Sequence, residues 1–363
     1  GFKPAVDAYR IAKGAKQVAH TSVDPKFELV GMRCIEVFAE AIPGVIIQLM
    51  AIVNTPSDKV STAAFLSLAV SAISTGFISA SMSYDADTDP EKRHLIPSVH
   101  GFIPSKAKKR TVVFVTMAFF SAGLLITRCM TIVIFTLLGK RWAFAYIGAD
   151  LVLYFGYKIL RDDFWYWVPL GGNVEIASSL FARVMIKIVG DFTCIVLFRH
   201  PFELGGMYWS MSVVLTLISL PIAMNIYEKI DEGIISKMTV LRTLMYILLP
   251  GTITSLLIFF LNIKRTYIRT FFSRETCKQL TIRRFQETND DTVKASFSFL
   301  TSNRYWQEIE GDVKEWVTNG WHTWTEEKPN WFTEHWRACV PLSYIPQELR
   351  EEEKKRSDYK EQI

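Results

Sequence analysis

Cysteine is scarce and unpatterned in this chain. The five residues (Cys34, Cys129, Cys194, Cys277, Cys339) are odd in number and show no C-x-x-C or Cys/His spacing. That excludes a disulfide framework and a zinc motif of the usual kind, and leaves free thiols, buried or facing the cytosol. Glycine-rich phosphate loops, a Ser/His/Asp arrangement and metal-spaced histidines are also missing; His322 and His335 read as ordinary polar positions. Enzyme chemistry therefore has no visible residues to carry it. Asp162-Asp163 precedes the aromatic run Phe164-Trp165-Tyr166-Trp167 and reads as loop charge beside an interfacial belt. The sequence has no N-x-S/T sequon. It shows no cleavable signal peptide, because the first apolar run follows a basic, polar stretch. A chain opening on Gly1 reads as a fragment or processed product. No cofactor is called for, and nothing points to nucleic acid.

What the chain has is hydrophobic length. Half of its 363 residues are hydrophobic, gathered into long blocks separated by short charged loops. This is the pattern of a polytopic membrane protein. Residues 1–26 are polar and basic and read as a cytosolic segment. Seven apolar blocks follow near 27–53, 60–83, 111–138, 142–160, 176–198, 207–227 and 240–263, making a helix bundle over 27–263. Residues 264–289 form a basic juxtamembrane segment. Residues 290–363 form a cytosolic region rich in tryptophan, ending in a mixed-charge tail. Trp306, Trp316, Trp321, Trp324, Trp331 and Trp336 fit either a compact helical mini-core or the membrane interface. The charges interleaved with them favour the mini-core.

Lys and Arg in short loops set the orientation. Loop 84–110 carries Lys92, Arg93, Lys106, Lys108, Lys109 and Arg110, and the stretch after 264 is equally basic, so both should be cytosolic. Five apolar blocks lie between them, and five crossings would put them on opposite sides. One block must fail to cross. The block 176–198 is the candidate, since Arg183, Lys187 and Asp191 recur every four residues along one helical face. The expectation is an all-α polytopic bundle of about six spans plus one partial or re-entrant helix. A seven-span, receptor-like bundle is the rival, and it breaks the charge rule at one basic loop.

Ionisable residues at membrane depth cost about 2.5–3.5 kcal/mol each on insertion scales. The chain keeps several: Glu36, Glu40, Arg128, Asp150, Arg183, Lys187 and Asp191, with Gln48 beside them. They mark a pathway for something hydrated, or they pair with one another and hold the bundle together. Glu36 or Glu40 with Arg128, and Asp191 with Arg183, are the expected couples. Pro43 removes one backbone hydrogen bond beside Glu40 and should kink that helix. Lys264, Arg265, Arg269, Arg274, Arg283 and Arg284 lie just past the last apolar block. They read as a stop-transfer flank or as a contact for anionic lipid headgroups.

The string Glu40-Ala41-Ile42-Pro43-Gly44-Val45-Ile46-Ile47-Gln48 resembles the E-S-x-P-Q-x-x-x-Q signature of the XK-related membrane protein family. Glu40, Pro43 and Gln48 fall in register, while Ala41 and Gly44 replace the usual serine and first glutamine. Thr127-Arg128 looks like the family's Ser-Arg pair in a later helix. The resemblance covers roughly residues 27–200. It implies a plasma-membrane or endomembrane protein that moves phospholipids between leaflets without ATP, or that partners a lipid-transfer or accessory protein. It also implies that intramembrane charges form a hydrophilic path for headgroups. The Trp-rich end is not part of that pattern, and the family's first helices are not seen ahead of the signature. Beside this scramblase-like reading stand two others: an ion channel or small-solute transporter, and a non-transporting scaffold.

Overall fold

The computed structural model describes residues 25–55, 59–90, 93, 100–160, 175–193, 205–230, 235–290 and 294, with short stretches between 311 and 351. Among these residues there is helix and no strand. In chain order the helices are α1 (Pro25–Glu36), a π-helical turn (Val37–Ala41), α2 (Ile42–Asn54), α3 (Thr62–Thr88), α4 (Ala107–Leu138), α5 (Lys140–Leu160), α6 (Glu175–Thr193), α7 (Gly205–Ile230), α8 (Ile235–Asn262), α9 (Arg265–Phe272) and α10 (Arg274–Glu287). Among the described residues six segments are long and apolar enough to cross a bilayer: Leu29–Asn54, Thr62–Thr88, Ala107–Leu138, Lys140–Leu160, Met207–Lys229 and Thr239–Asn262. The chain is thus an integral, multi-pass, all-α membrane protein. Helix α6 is not among the six.

Helix α4 is the axis of the bundle. In its most apolar stretch 72% of residues are buried, against 11–39% in the other five spans. It packs on α2, α3, α5, α6, α7 and α8. Small residues bring the backbones close, as membrane helices require when no hydrophobic force draws them together. A Cβ at Gly76 would fall on the Ala118 carbonyl, and one at Gly123 on the Thr252 hydroxyl. Leu125, Cys129, Met130, Val133 and Ile134 complete the interior. Helix α4 ends at Gly139, whose φ of +141° lets the chain reverse into α5 within one residue.

The first span is one helix with a wide turn. Pro43 has no N–H to give to the carbonyl four residues back. Over Val37–Ala41 the helix widens instead, and the Ile42 amide reaches Val37 O, five residues back.

One end of the bundle gathers the basic segments. The Lys264 amide donates to Phe102 O at 3.0 Å. Phe102 and Ile103 pack with Val113, Met117, Phe259 and Ile263. Asp87, at the end of α3, is fully buried and accepts hydrogen bonds from the amides of Gly101 (2.5 Å), Phe102 (3.1 Å) and Ile103 (2.9 Å). Arg93 pairs with it at 3.3 Å and donates to Ile103 O. Tyr267 of α9 closes this knot against Gly101, which has φ +105°. Burial and the Asp87 carboxylate raise the Tyr267 hydroxyl above its ordinary pKa, with Arg93 acting the other way.

The start of α7 lies at this end too. Trp209 packs on Phe120 and Phe260, and α9 packs on α7. Tyr157, near the end of α5, meets Tyr208 at 5.2 Å. Helix α5 therefore arrives at the end from which α7 leaves. The stretch between them, which contains α6, begins and ends on one side. This return to one end is what the loop charges predict: α6 enters the bundle without crossing it.

Of the Trp-rich region, Trp316 is described. It meets Phe285 of α10 edge-on at 6.0 Å, beside the fully buried Val317. The other five tryptophans named above lie outside the described residues, as do residues 1–24.

Candidate functional site

Three helices bring four charges together in the middle of the bundle, and a fourth, α7, supplies hydroxyls. Arg128 of α4 donates to Asp150 of α5 at 2.7 Å and to the Thr216 hydroxyl of α7 at 3.1 Å. Its guanidinium lies 3.6 Å from Asp191 of α6 and 5.3 Å from the centre of the Phe192 ring. Lys187 of α6 pairs with Asp191 one turn on, at 2.7 Å, and with Asp150. Ser212 of α7 donates to the other Asp191 oxygen at 2.9 Å. Two cations face two carboxylates, so the tetrad is neutral, and the Thr216 and Ser212 hydroxyls add one hydrogen bond each. Inside a bundle a charge group lasts only on those terms.

Burial within the tetrad is unequal. The side chains of Arg128, Lys187 and Asp191 are 5%, 1% and 0% exposed, whereas that of Asp150 is 21% exposed. The tetrad opens outward only at Asp150. A cavity of about 10 Å³ beside it touches Gly190, Asp191, Trp209, Ser212 and Thr216, which is room for about one water.

The expected partners of Arg128 were Glu36 and Glu40; it takes Asp150 and Asp191 instead. The reason is azimuth. Cys129 faces the first span, with its Sγ 4.0 Å from Ile42 O. Its neighbour Arg128 is turned about 100° around α4, toward α5 and α7. Asp191 takes Lys187 as its salt-bridge partner, the nearer cation on its own helical face. Arg183, a turn before Lys187, is buried.

The first span holds a second, separate group. Glu40 is exposed and Glu36 half-buried, and neither pairs with any described residue. Pro43 is exposed and Gln48 half-buried. The Gln48 amide donates to Ser71 at 3.1 Å and Ser67 at 3.4 Å on α3. The π turn itself packs against α6. Among the basic residues, Arg265, Arg269 and Arg283 are exposed and Lys264 half-buried over the Tyr267 ring. Arg283 pairs with Glu287 at 2.7 Å, Arg284 is half-buried, and the Arg274 side chain lies outside the described residues.

Sequence reading missed three features. One is a hydroxyl stripe on α3: Ser67, Ser71, Thr75, Ser79, Ser83 and Asp87 recur every four residues, exposed at the first and buried from the third onward. Ser79 holds the end of α6 by donating to Thr193 O at 2.7 Å, and it meets Ser121 at 3.3 Å. The period of four was a signal available in the sequence. Another is the Ser212/Thr216 pair, with the same spacing on α7. The third is Lys158, fully buried on α5, two turns beyond Asp150.

Comparison with known proteins finds no matching family model, curated protein or solved structure.

Proposed function

We propose that this chain moves phospholipids between bilayer leaflets, with headgroups following the outer flank of the bundle beside the first span. One observation carries the reading: Glu40 is exposed in mid-span. It lies eleven residues after Leu29 and fourteen before Asn54, the ends of that span, about 16 and 21 Å along the axis. A carboxylate facing lipid tails there is strongly disfavoured. A passing ammonium group, with its water, answers it. Glu36 lies one turn away. The π turn packs on α6, whose Lys187 belongs to the tetrad, so the anionic flank adjoins cations suited to a phosphate. Because Asp150 is the exposed member, a phosphate reaching the tetrad exchanges with Asp150 rather than with Asp191.

The test is exchange of fluorescent phospholipid in proteoliposomes. The intact protein should equilibrate the label between leaflets. Glu40→Ala and Asp150→Asn should each slow exchange about tenfold, or ~1.4 kcal/mol in the barrier. An intact protein that exchanges no lipid, or a Glu40→Ala variant as fast as its parent, refutes the reading. A scaffold is the second reading, favoured by the neutrality and mutual pairing of the tetrad, which ties four helices. Under it, Asp150→Asn loosens the bundle and exchange is absent from the start.

A further inference from the structure

Two basic stretches distant in sequence meet at one end of the bundle. Lys106, Lys108, Lys109 and Arg110 are exposed at the start of α4. Lys264, Arg265 and Arg269 lie at the start of α9 and along it. None of these seven makes an ion pair with a described residue; Lys264 lies over the Tyr267 ring at 5.8 Å. No Asp or Glu occurs within 104–111 or 263–273. The two stretches are clamped at backbone level. Phe102, four residues before Lys106, accepts the Lys264 amide, and Asp87 fixes the amides of 101–103. Helix α9 lies across the base of the bundle. It packs on α7, its Phe272 ring meets Phe260 at 6.1 Å, and its Arg265 and Arg269 face outward. The unpaired N–H groups of the first turn of α4 add partial positive charge at the same place.

We propose that these two stretches form a single docking surface for the anionic phospholipid headgroups of the adjoining leaflet, assembled by the Asp87 knot. The surface is composite: neither stretch is the site alone, and the knot sets their spacing. A flank that merely obeys the charge rule needs no such clamp. The chemistry recognised is a phosphate held among several guanidinium and ammonium groups, and the source is lipid, because the surface borders the ends of three spans. This proposal does not depend on lipid crossing the membrane, since binding and exchange are read separately.

The experiment places the full chain in nanodiscs of phosphatidylcholine with a minor fraction of fluorescent phosphatidylserine, and measures its enrichment around the protein. Unlabelled phosphatidylserine should displace the label; inorganic phosphate should not. Each cation is worth about fivefold in occupancy. Lys108→Glu with Lys109→Glu, and Arg265→Glu with Arg269→Glu, should therefore each lower enrichment at least about 25-fold. Asp87→Asn should lower it as well, although all seven cations remain. The preference should fade as salt is raised. Enrichment that survives reversal of Lys108 and Lys109 overturns the composite surface. So does full enrichment in a folded Asp87→Asn protein, or displacement by inorganic phosphate. If Asp87→Asn does not fold, the Lys108/Lys109 reversal decides, because both side chains are exposed.

Discussion

Removing Asp191 should damage the bundle more than removing the Lys187/Asp191 pair together. The Asp191 side chain is fully buried and answers Lys187 at 2.7 Å and Arg128 at 3.6 Å, with the Ser212 hydroxyl on its other oxygen. Asp191→Asn takes one of two carboxylates away from the buried cations Arg128 and Lys187, which Asp150 still faces. Breaking a buried pair in this way costs about 3–5 kcal/mol. Asp150→Asn leaves the same excess charge. That site is 21% exposed, however, and water or headgroups reach it, so about half that cost is expected. In the double variant Lys187→Met/Asp191→Leu one cation and one anion leave together. The Arg128–Asp150 bond at 2.7 Å stays, with Thr216 still accepting from Arg128. Exchanging a buried ion pair for apolar side chains of similar size is often neutral or stabilising, so the double variant should lie within about 2 kcal/mol of the parent. The expected order of stability is parent and double variant, then Asp150→Asn, then Asp191→Asn. Equilibrium unfolding in bicelles by steric trapping measures it. A double variant as unstable as Asp191→Asn would show that charge balance is not what holds the four helices.

Pro43→Ala restores a backbone donor and should let the π turn tighten. Amide exchange over residues 41–45 should slow about five- to tenfold, and unchanged exchange would separate the turn from the proline. Gly123→Ala should cost about 1–3 kcal/mol by overpacking, and Thr252→Ala in the same chain should recover a large part. Gly76→Ala meets the Ala118 carbonyl, so no side-chain trimming should rescue it; equal rescue of both would contradict the packing of α4. Cysteines placed at 108 and 265 should react with an impermeant maleimide from one side of the membrane and a cysteine at 139 from the other. Labelling of 108 and 265 from opposite sides would undo the topology.

The bundle was legible because its signals are linear. Apolar length marked the spans, and Lys/Arg counts in two loops forced one block to stay on the side it entered. The face of Arg183, Lys187 and Asp191 identified that block as α6. Pairing across helices was not legible, because a helix sequence gives depth without relative rotation. Glu40 and Arg128 both belong near mid-span, yet Arg128 faces α5 and α7 while Glu40 faces outward. Asp87 escaped notice for another reason. Its role depends on three amides some fifteen residues later, and amides carry no mark in a sequence. The hydroxyl stripe of α3 was visible as a period of four. Serines and threonines within an apolar block simply do not stand out when charge is being sought.

The central position of α4 has a consequence for biogenesis. Arg128 enters the membrane with α4, before either of its counter-ions exists; Asp150 follows it by 22 residues and Asp191 later still. Until then the nascent chain carries a bare cation at membrane depth, worth about 2.5–3.5 kcal/mol against release into lipid. The insertion machinery should retain α4 until α5 emerges, and ribosome-released chains ending after α4 should be degraded rapidly. Chains ending after α5 should last longer, because by then the arginine has met its first carboxylate.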